Sequence, residues 1–293
     1  MGGLCFFLFA AAGFGGEPTA TVEPALIDVG GRVVEIERWG KSGMTVVFEG
    51  GSAATAKAWS KILPHVGAYA AALSYSRAGF GQSEPSSQAR TPGQIAEELH
   101  ALLAAADRKP PYVLVARSLG GIYLRAFAAK YPREVAGVVL IDSSHERQKI
   151  EFTRVVPGYE DRRREVLARL AGAQKAESEA AFLGEGFVGE PPTLPDVPTA
   201  ILTPMNIGGA HGPAMAQVWR ELHAELFKAT SRGMHTVTSK SGQGIVEQEP
   251  ELVLNAIRWV VDAAQEQSRL APPAVRAVGG EKTIVRRLLC QRG

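Results

Sequence analysis

The sequence predicts an α/β protein in which helices cover both faces of a mostly parallel, twisted sheet and one cap is inserted. Short runs rich in β-branched residues alternate with helical patterns along most of the chain, and this alternation is typical of parallel sheets. A charged stretch at residues 146–195 interrupts the alternation and indicates the insertion. The chain has 293 residues, enough for one large domain with a sizeable core and such an insertion.

The composition is that of a soluble globular protein and argues against some partners. Hydrophobic residues make up 45% and charged residues 21% of the chain, which are ordinary proportions. The formal net charge is +2, and no basic stripe is interleaved with aromatic residues, so we expect no nucleic-acid partner. The two cysteines, Cys5 and Cys290, lie in the terminal segments and say little about the redox compartment.

Residues 1–24 are predicted as a signal-like or disordered segment. The apolar run from Leu4 to Phe14 is too short to span a bilayer, so we expect no stable membrane insertion. Its length suits the core of a secretory signal, but the first basic residue is Arg32, and a misassigned start is the alternative. An exported (periplasmic or secreted) and a cytoplasmic location both stay open, and the sequence predicts no oligomeric state.

The predicted strands are short and rich in β-branched residues, and together they define a core at residues 25–145 and 196–266. They lie at residues 32–37, 45–48, 71–75, 112–115, 135–141, 199–202 and 235–238.

Three helices of this core have clear limits in the sequence. The first begins at Thr91, which can cap it, with Pro92 in the first turn and Gln94 completing a capping box. A second follows the fourth predicted strand at 119–131 and is ended by a proline. The last runs over about 250–264, and we predict a flexible tail at 267–293.

The insertion at 146–195 is charged and contains three consecutive arginines at 162–164. We predict a helix over 165–180 and looser chain over 184–195. Its position favours a cap or lid over the sheet edge, and the alternative is a peripheral helix pair without a substrate role.

Residues 111–121 read as a strand, a sharp turn and a helix, with Ser118 on the turn. Such a turn exposes the serine hydroxyl and requires small neighbours, which Ala116 and Gly120 provide. The helix dipole and the Leu119 amide would favour a negative charge that develops beside the serine. A serine followed by Leu-Gly is more often an ordinary turn or cap residue. The strand before Ser118 and the helix after it favour a turn that exposes a reactive serine over that alternative.

Five stretches of the chain form a recognisable set in their order and spacing: VVFEGG at 46–51, YSRAGFGQS at 75–83, ARSLGG at 116–121, VLIDSSH at 139–145 and EPELV at 249–253. With them the chain resembles, from about residue 45 to 264, the α/β-hydrolase superfamily, and within it a bacterial serine-hydrolase branch. That branch carries its acid after the strand that follows the nucleophile helix. The resemblance implies a serine hydrolase that cleaves a small ester-like substrate through an acyl-enzyme, without a cofactor or a metal.

The resemblance also assigns an oxyanion hole and an acid. It makes Gly51 a turn glycine and gives the two oxyanion donors as the backbone amides of Ser52 and Leu119, although a plain Gly-Gly turn is the alternative for the first loop. Asp142 takes the place of the acid, because the loop at 203–206 has no carboxylate. The alternative for Asp142 is a residue that caps the next turn.

The base is where the chain departs from the family pattern. The family places its histidine seven residues before the proline of the last helix, and here that position is Gln243. A glutamine amide is neutral and cannot accept a proton near pH 7. His145 and His211 lie near the expected face and are the candidate substitute bases. The remaining histidines, at 65, 100, 223 and 235, are predicted on helices or at the wrong strand end.

Two other departures concern arginines. Arg117 precedes Ser118 where the family commonly has histidine, and it could be a paired surface residue or a cation beside the hydroxyl. Ser76 precedes Arg77 where aspartate is common, which removes the expected local partner of Arg77. The function hypotheses are therefore an ester hydrolase and a catalytically silent member, natural or engineered, that binds a small apolar ligand.

Overall fold

We analysed a computed structural model, which describes residues 23–40, 42–183, 192–207 and 211–270. In this part of the chain eight strands form one sheet in the order β1-β2-β4-β3-β5-β6-β7-β8. The strands are β1 (Glu23–Asp28), β2 (Val33–Trp39), β3 (Thr45–Glu49), β4 (Ala71–Tyr75), β5 (Tyr112–Arg117), β6 (Val135–Ile141), β7 (Thr199–Pro204) and β8 (Gly233–Thr238).

The sheet is parallel from β4 through β8 in its spatial order and antiparallel at one edge. β1 pairs antiparallel with β2, and β2 pairs antiparallel with β4. All seven predicted strands are present. Strand β1 was not predicted because it is an edge strand with one side to solvent, where Leu26 is 55% exposed. It begins inside the segment predicted as signal-like, whose residues 1–22 lie outside the described part.

Helices pack on both faces of the sheet, as predicted. Alternate residues of the central strands enter opposite cores, so that Val46 belongs to the cluster that contains Ile257 of α9 and Val47 to the cluster that contains Leu99 of α2. The helices are α1 (Leu63–Gly67), α2 (Pro92–Ala105), α3 (Gly120–Lys130), α4 (Gln148–Val155), α5 (Tyr159–Ala168), α6 (Gly172–Leu183), α7 (Gly212–Lys228), α8 (Ile245–Gln248) and α9 (Pro250–Leu270).

The helix limits follow the local signals in the sequence. Thr91 Oγ1 accepts a hydrogen bond of 3.3 Å from the Gln94 amide at the start of α2, which is the expected cap. Helix α9 continues to Leu270, so the prediction that a flexible tail begins at 267 was wrong by one turn. Residues 271–293 lie outside the described part.

The insertion differs from its prediction. One helix over 165–180 was expected, but the structure has α5 and α6 with a break between them, and α4 before both. The chain turns at Gly158 and Gly172, whose φ values are +66° and +53°, a region that favours glycine. Residues 184–191, within the predicted looser stretch, lie outside the described part. None of the described helices is long and apolar enough to cross a membrane.

Candidate functional site

Ser118 occupies the sharp turn between β5 and α3. Its φ is +50°, a left-handed conformation that is unfavourable for a serine and needs support from its surroundings. That support comes from the backbone: the Ser118 amide donates to the Ile141 carbonyl at 3.1 Å, and the Ser118 carbonyl accepts from the amides of Gly121 at 3.0 Å and Ser144 at 2.9 Å. The turn is therefore held from both neighbouring segments.

Two glycines in the first turn of α3 let this helix approach the neighbouring loops. A Cβ added at Gly120 would lie 2.5 Å from the Gly50 carbonyl oxygen, and one added at Gly121 would overlap the Ser143 hydroxyl. Contacts this short do not occur for real Cβ atoms. The loops after β3 and β6 thus pack directly on the start of the helix that carries Ser118.

The loop after β3 lies beside the Ser118 hydroxyl. A Cβ added at Gly51 would stand 3.2 Å from Ser118 Cβ and 3.6 Å from its Oγ, so a side chain here would crowd the hydroxyl. Neither the Ser52 amide nor the Leu119 amide has a hydrogen-bond acceptor among the described residues. Two backbone donors near the serine are thus available to an oxygen of a bound molecule.

Asp142 follows β6 with a φ of +47°. Its amide donates to the Leu202 carbonyl at 2.9 Å, and its Oδ1 accepts a hydrogen bond of 2.7 Å from Trp219 Nε1. The residue is 4% exposed. Burial raises the pKa of its carboxyl to about 6, against the lowering effects of the Trp219 bond and the Arg117 charge.

Strained backbone is concentrated around this site. Among the described residues, four other than glycine have positive φ: Ala53, Asp107, Ser118 and Asp142. Three of them lie in the loops after β3, β5 and β6. Such conformations persist only where the surroundings impose them, and they are typical of functional sites.

Gln243 lies on the loop between β8 and α8. Its carbonyl oxygen accepts a hydrogen bond from Arg117 Nη2, and Arg117 Nη1 pairs with Glu247 at 3.0 Å. Arg117 is therefore a paired residue that ties the loop of Gln243 to the end of β5. On the other side Ser241 Oγ donates to Glu249 Oε1 at 2.6 Å.

These loops surround a cavity of about 440 Å³. All five residues predicted for the nucleophile, the acid, the base position and the oxyanion donors line it, together with residues of α5 and α6. The lining includes Gly51, Ser52, Trp59, Arg117, Ser118, Leu119, Asp142, Ser144, Arg163, Val166, Leu170, Gln174, Ser178, Gln243 and Val246.

A second cavity, of about 400 Å³, adjoins the first, and the two share Asp142, Gln243 and three residues of the insertion. His211, just before α7, lines this second cavity. Of the two candidate substitute bases it is the one that lines a cavity, whereas Ser118 lines the first cavity and Asp142 and Gln243 line both.

His145, the other candidate, is buried and lines neither cavity. Its Nδ1 accepts a hydrogen bond of 3.0 Å from the Arg147 amide. Burial, with the nearby charges of Arg125 and Arg147, lowers its pKa to about 3. A neutral, buried imidazole with one nitrogen occupied is a poor substitute base for Ser118.

Another histidine contacts the loop of Asp142, although the sequence placed it away from the site. His223 Nε2 is 2.7 Å from the Ser143 carbonyl oxygen, and its Nδ1 is 2.6 Å from Thr203 Oγ1. Burial lowers its pKa to about 3, so it is neutral and supports the loop of Asp142. His65 and His100 lie on α1 and α2 and His235 lies within β8, and none of the three lines either cavity.

Two contributions to the site were missed in the sequence. Trp219, the hydrogen-bond donor to Asp142, comes from α7, 77 residues further along the chain. Arg77, expected to lack a local partner, forms ion pairs with Glu49 at 2.5 Å and Glu177 at 2.9 Å. Neither pairing leaves a local signal in the sequence. No cluster of three or more potential metal ligands occurs in the described residues.

Known proteins share this architecture. A family model described as the alpha/beta hydrolase fold matches residues 45–189. A Bacillus subtilis (strain 168) relative, the uncharacterized protein YqjL, is 29% identical over 244 residues, which cover 82% of this chain and 91% of YqjL.

Solved structures agree on the fold. A thermophilic esterase from Thermogutta terrifontis superimposes with a TM-score of 0.60 at 20% identity, covering 83% of this chain and 99% of the esterase. An enol-lactonase from Burkholderia xenovorans LB400 gives a TM-score of 0.60 at 15% identity, covering 82% of this chain and 100% of the lactonase. At these identities the likeness concerns the fold.

Proposed function

Because the chain belongs to the α/β-hydrolase superfamily, we propose that it is a serine hydrolase that cleaves a carboxylic ester through an acyl-enzyme on Ser118. The observation that carries this proposal is the turn at Ser118. Its φ of +50° holds the serine beside Gly51, next to two backbone amides that lack acceptors among the described residues. Backbone strain at such a turn is typical of a functional site, where it exposes the serine hydroxyl.

In the proposed reaction the Ser118 hydroxyl oxygen attacks the carbonyl carbon of the ester and loses its proton. The carbonyl oxygen becomes an oxyanion that accepts hydrogen bonds from the amides of Ser52 and Leu119. The intermediate then breaks its bond to the alcohol, which leaves with a proton, and the acyl group stays on Ser118. Water hydrolyses this ester in the same way, so that the sum is ester plus water to acid plus alcohol.

The proton of Ser118 is the difficult part of this mechanism. Gln243 occupies the position of the base and has no basic atom. Asp142 is ionised above about pH 6 and supplies negative charge to the cavity, but its Oδ1 is held by Trp219. We therefore propose a slow hydrolase, in which the proton leaves to water or hydroxide and the rate rises with pH.

A second candidate function is that of a silent family member that binds a small apolar ligand. Two observations favour it: Gln243 at the base position, and His145 buried outside both cavities. Trp59, Val166 and Leu170 would contact the apolar part of such a ligand, since they line the cavity.

Labelling with a fluorophosphonate probe separates the two candidates. We expect the probe to modify Ser118 of the folded protein, faster at pH 9 than at pH 7, because a serine without a base reacts through its small ionised fraction. Intact-protein mass spectrometry would measure the rate, and peptide mapping would identify the site. Ser118→Ala should abolish the modification.

Ser144 provides a matched control. It lines the same cavity but follows β6 rather than the turn between β5 and α3, so Ser144→Ala should keep the modification. A folded protein that the probe does not modify at either pH would contradict the hydrolase proposal and leave the silent binder.

A further inference from the structure

A group of buried charges lies behind the loop that follows β3 and does not line the cavity. Arg77 is at its centre, with a side chain that is 1% exposed, between Glu49 at 0% and Glu177 at 1%. Arg77 is also stacked on Tyr123, with its guanidinium 4.9 Å from the ring centre. A buried guanidinium with this many contacts is held in one orientation.

The same guanidinium binds the backbone of the loop. Nη1 donates to the Gly50 carbonyl at 3.0 Å and Nη2 donates to the Gly51 carbonyl at 2.8 Å. In a trans peptide the C=O of one residue and the N–H of the next point in opposite directions. Because the Gly51 carbonyl points at Arg77, the Ser52 amide points away from Arg77. Arg77, together with the Ala54 amide, which donates to the same carbonyl at 3.3 Å, thereby sets the direction of the Ser52 amide.

Glu177 connects this arrangement to the insertion. It lies on α6 and accepts hydrogen bonds from Arg77 Nε at 3.0 Å and Arg90 Nη2 at 3.0 Å. Gln174 and Ser178, on the same helix, line the cavity. Gln174 Nε2 is 3.4 Å from Ser52 Oγ, so α6 contacts the loop both through Arg77 and directly.

We propose that Glu177 is a positioning residue that, through Arg77, holds the Ser52 amide in the direction an oxyanion requires. The Ser52 amide is then directed correctly only while α6 is packed beside the cavity. A ligand that displaced α6 would also misdirect the amide. The inference rests on the proposed function in one respect, the use of the Ser52 amide by the substrate.

The alternative is that the charges only hold the fold together, and Arg90 provides the control. Arg90 pairs with Glu177 as Arg77 does, and it also pairs with Glu98 at 2.8 Å, but its described contacts do not include the loop. Arg77→Lys keeps the cation but replaces a planar fork by a single point that cannot reach both carbonyls and both carboxylates. Arg90→Lys makes the same chemical change on the other side of Glu177.

Glu177→Gln is the variant most compatible with folding. It removes one negative charge, yet Arg77 keeps Glu49 and Arg90 keeps Glu98 as partners, so no buried cation is left alone. Glu179→Gln changes a half-exposed glutamate of the same helix and serves as its control.

The experiment has two readouts, the kinetics of fluorophosphonate modification and the backbone resonance of Ser52 in protein labelled with 15N-serine. Loss of one oxyanion donor costs about 10²–10³ in rate. For a misdirected donor we expect slower modification, about tenfold in Arg77→Lys and about threefold in Glu177→Gln. When the modification rate is measured against probe concentration, the maximal rate at saturation should fall, whereas the affinity for the probe should not change. The Ser52 resonance should move in both variants and stay in place in Arg90→Lys and Glu179→Gln, which should also keep their rates within about twofold.

Equal losses in Arg77→Lys and Arg90→Lys, or a Ser52 resonance unmoved by Glu177→Gln, would overturn the proposal. If the unaltered protein is not modified at all, the proposed function fails. The Ser52 resonance then tests by itself whether Arg77 positions the Ser52 amide, since it should move in Arg77→Lys and not in Arg90→Lys.

Discussion

Gln243 is the residue that most limits the proposed mechanism, because it stands at the position of the base. It borders both cavities together with Asp142, and its carbonyl is tied to Arg117, so its backbone position is defined by contacts that do not involve its side chain. An imidazole placed here would inherit that backbone position. The remaining parts of the proposed mechanism, Ser118 and the two amides, do not depend on the identity of the side chain.

We therefore expect Gln243→His to raise the rate of hydrolysis of a small activated ester by at least about 10². Loss of a triad member can cost about 10⁴–10⁶ in turnover, and we reduce the expected gain because Trp219 already occupies one oxygen of Asp142. The gain should vanish as the pH falls below the pKa of the new imidazole, since its cation cannot accept a proton. Initial rates against pH would measure this.

Gln243→Asn, which also lacks a basic atom, is the control and should show no gain. Gln243→His combined with Ser118→Ala should return the rate to background. A folded Gln243→His protein with unchanged rates would show that this position is not that of the missing base.

At the scale of elements, the start of α3 packs against both the loop after β3 and the loop after β6. Gly120 faces the loop after β3 and Gly121 faces the loop after β6, each without room for a Cβ. The helix therefore fixes the distance from Ser118 to both loops by direct backbone packing. A change that pushes α3 away from one loop should affect both the packing and the reactivity of Ser118.

Gly120→Ala tests this packing. The added Cβ would meet the backbone oxygens of Gly50 at 2.5 Å and Glu49 at 2.8 Å, neither of which can rotate away. We expect the free energy of unfolding to fall by about 1–3 kcal/mol and modification of Ser118 to slow down. Urea unfolding followed by circular dichroism would measure the first effect.

Gly93→Ala, in α2, is the matched control because nothing lies within 4 Å of its added Cβ. Alanine is the better helix former by up to about 1 kcal/mol, so this variant should be at least as stable as the parent. An equal fall in the free energy of unfolding of Gly120→Ala and Gly93→Ala would contradict the role given to Gly120.

At the scale of the whole molecule, the negative charge of Asp142 destabilises the folded protein. Its pKa in the folded protein is about 6 against an ordinary value of 3.8, so the folded state binds this proton more tightly than the unfolded chain does. Ionisation of Asp142 therefore lowers the free energy of unfolding as the pH rises from about 4 to about 6, and the loss is constant above that range. The difference between the two pKa values corresponds to about 3 kcal/mol.

Asp142→Asn should remove this cost while its side-chain oxygen still accepts the bond from Trp219. We expect the free energy of unfolding at pH 8 to rise by about 1–3 kcal/mol, with the gain shrinking towards pH 4. Urea unfolding at several pH values would measure it. A gain in Asp142→Asn that is the same at pH 4 and pH 8 would refute the argument.

The sequence by itself determined the seven strands β2 to β8 and the core helices α2, α3 and α9, in their order along the chain. Short runs rich in β-branched residues mark the central strands, and Thr91 and Pro250 mark helix starts, because these signals act between residues that are neighbours in one element. The approximate placing of Ser118, Asp142 and Gln243 at one edge of the sheet followed in turn, since parallel strands end at the same edge.

Only the tertiary structure decided what each of these residues touches. Arg77 meets Glu177 across 100 positions of the chain and Trp219 reaches Asp142 across 77. Those pairs arise from how α6 and α7 pack on the sheet, and packing depends on the summed shapes of many side chains rather than on any local pattern. For the same reason His145, which is three residues from Asp142 in sequence, is buried outside the cavities, whereas His211, far from Asp142 in sequence, lines the second one.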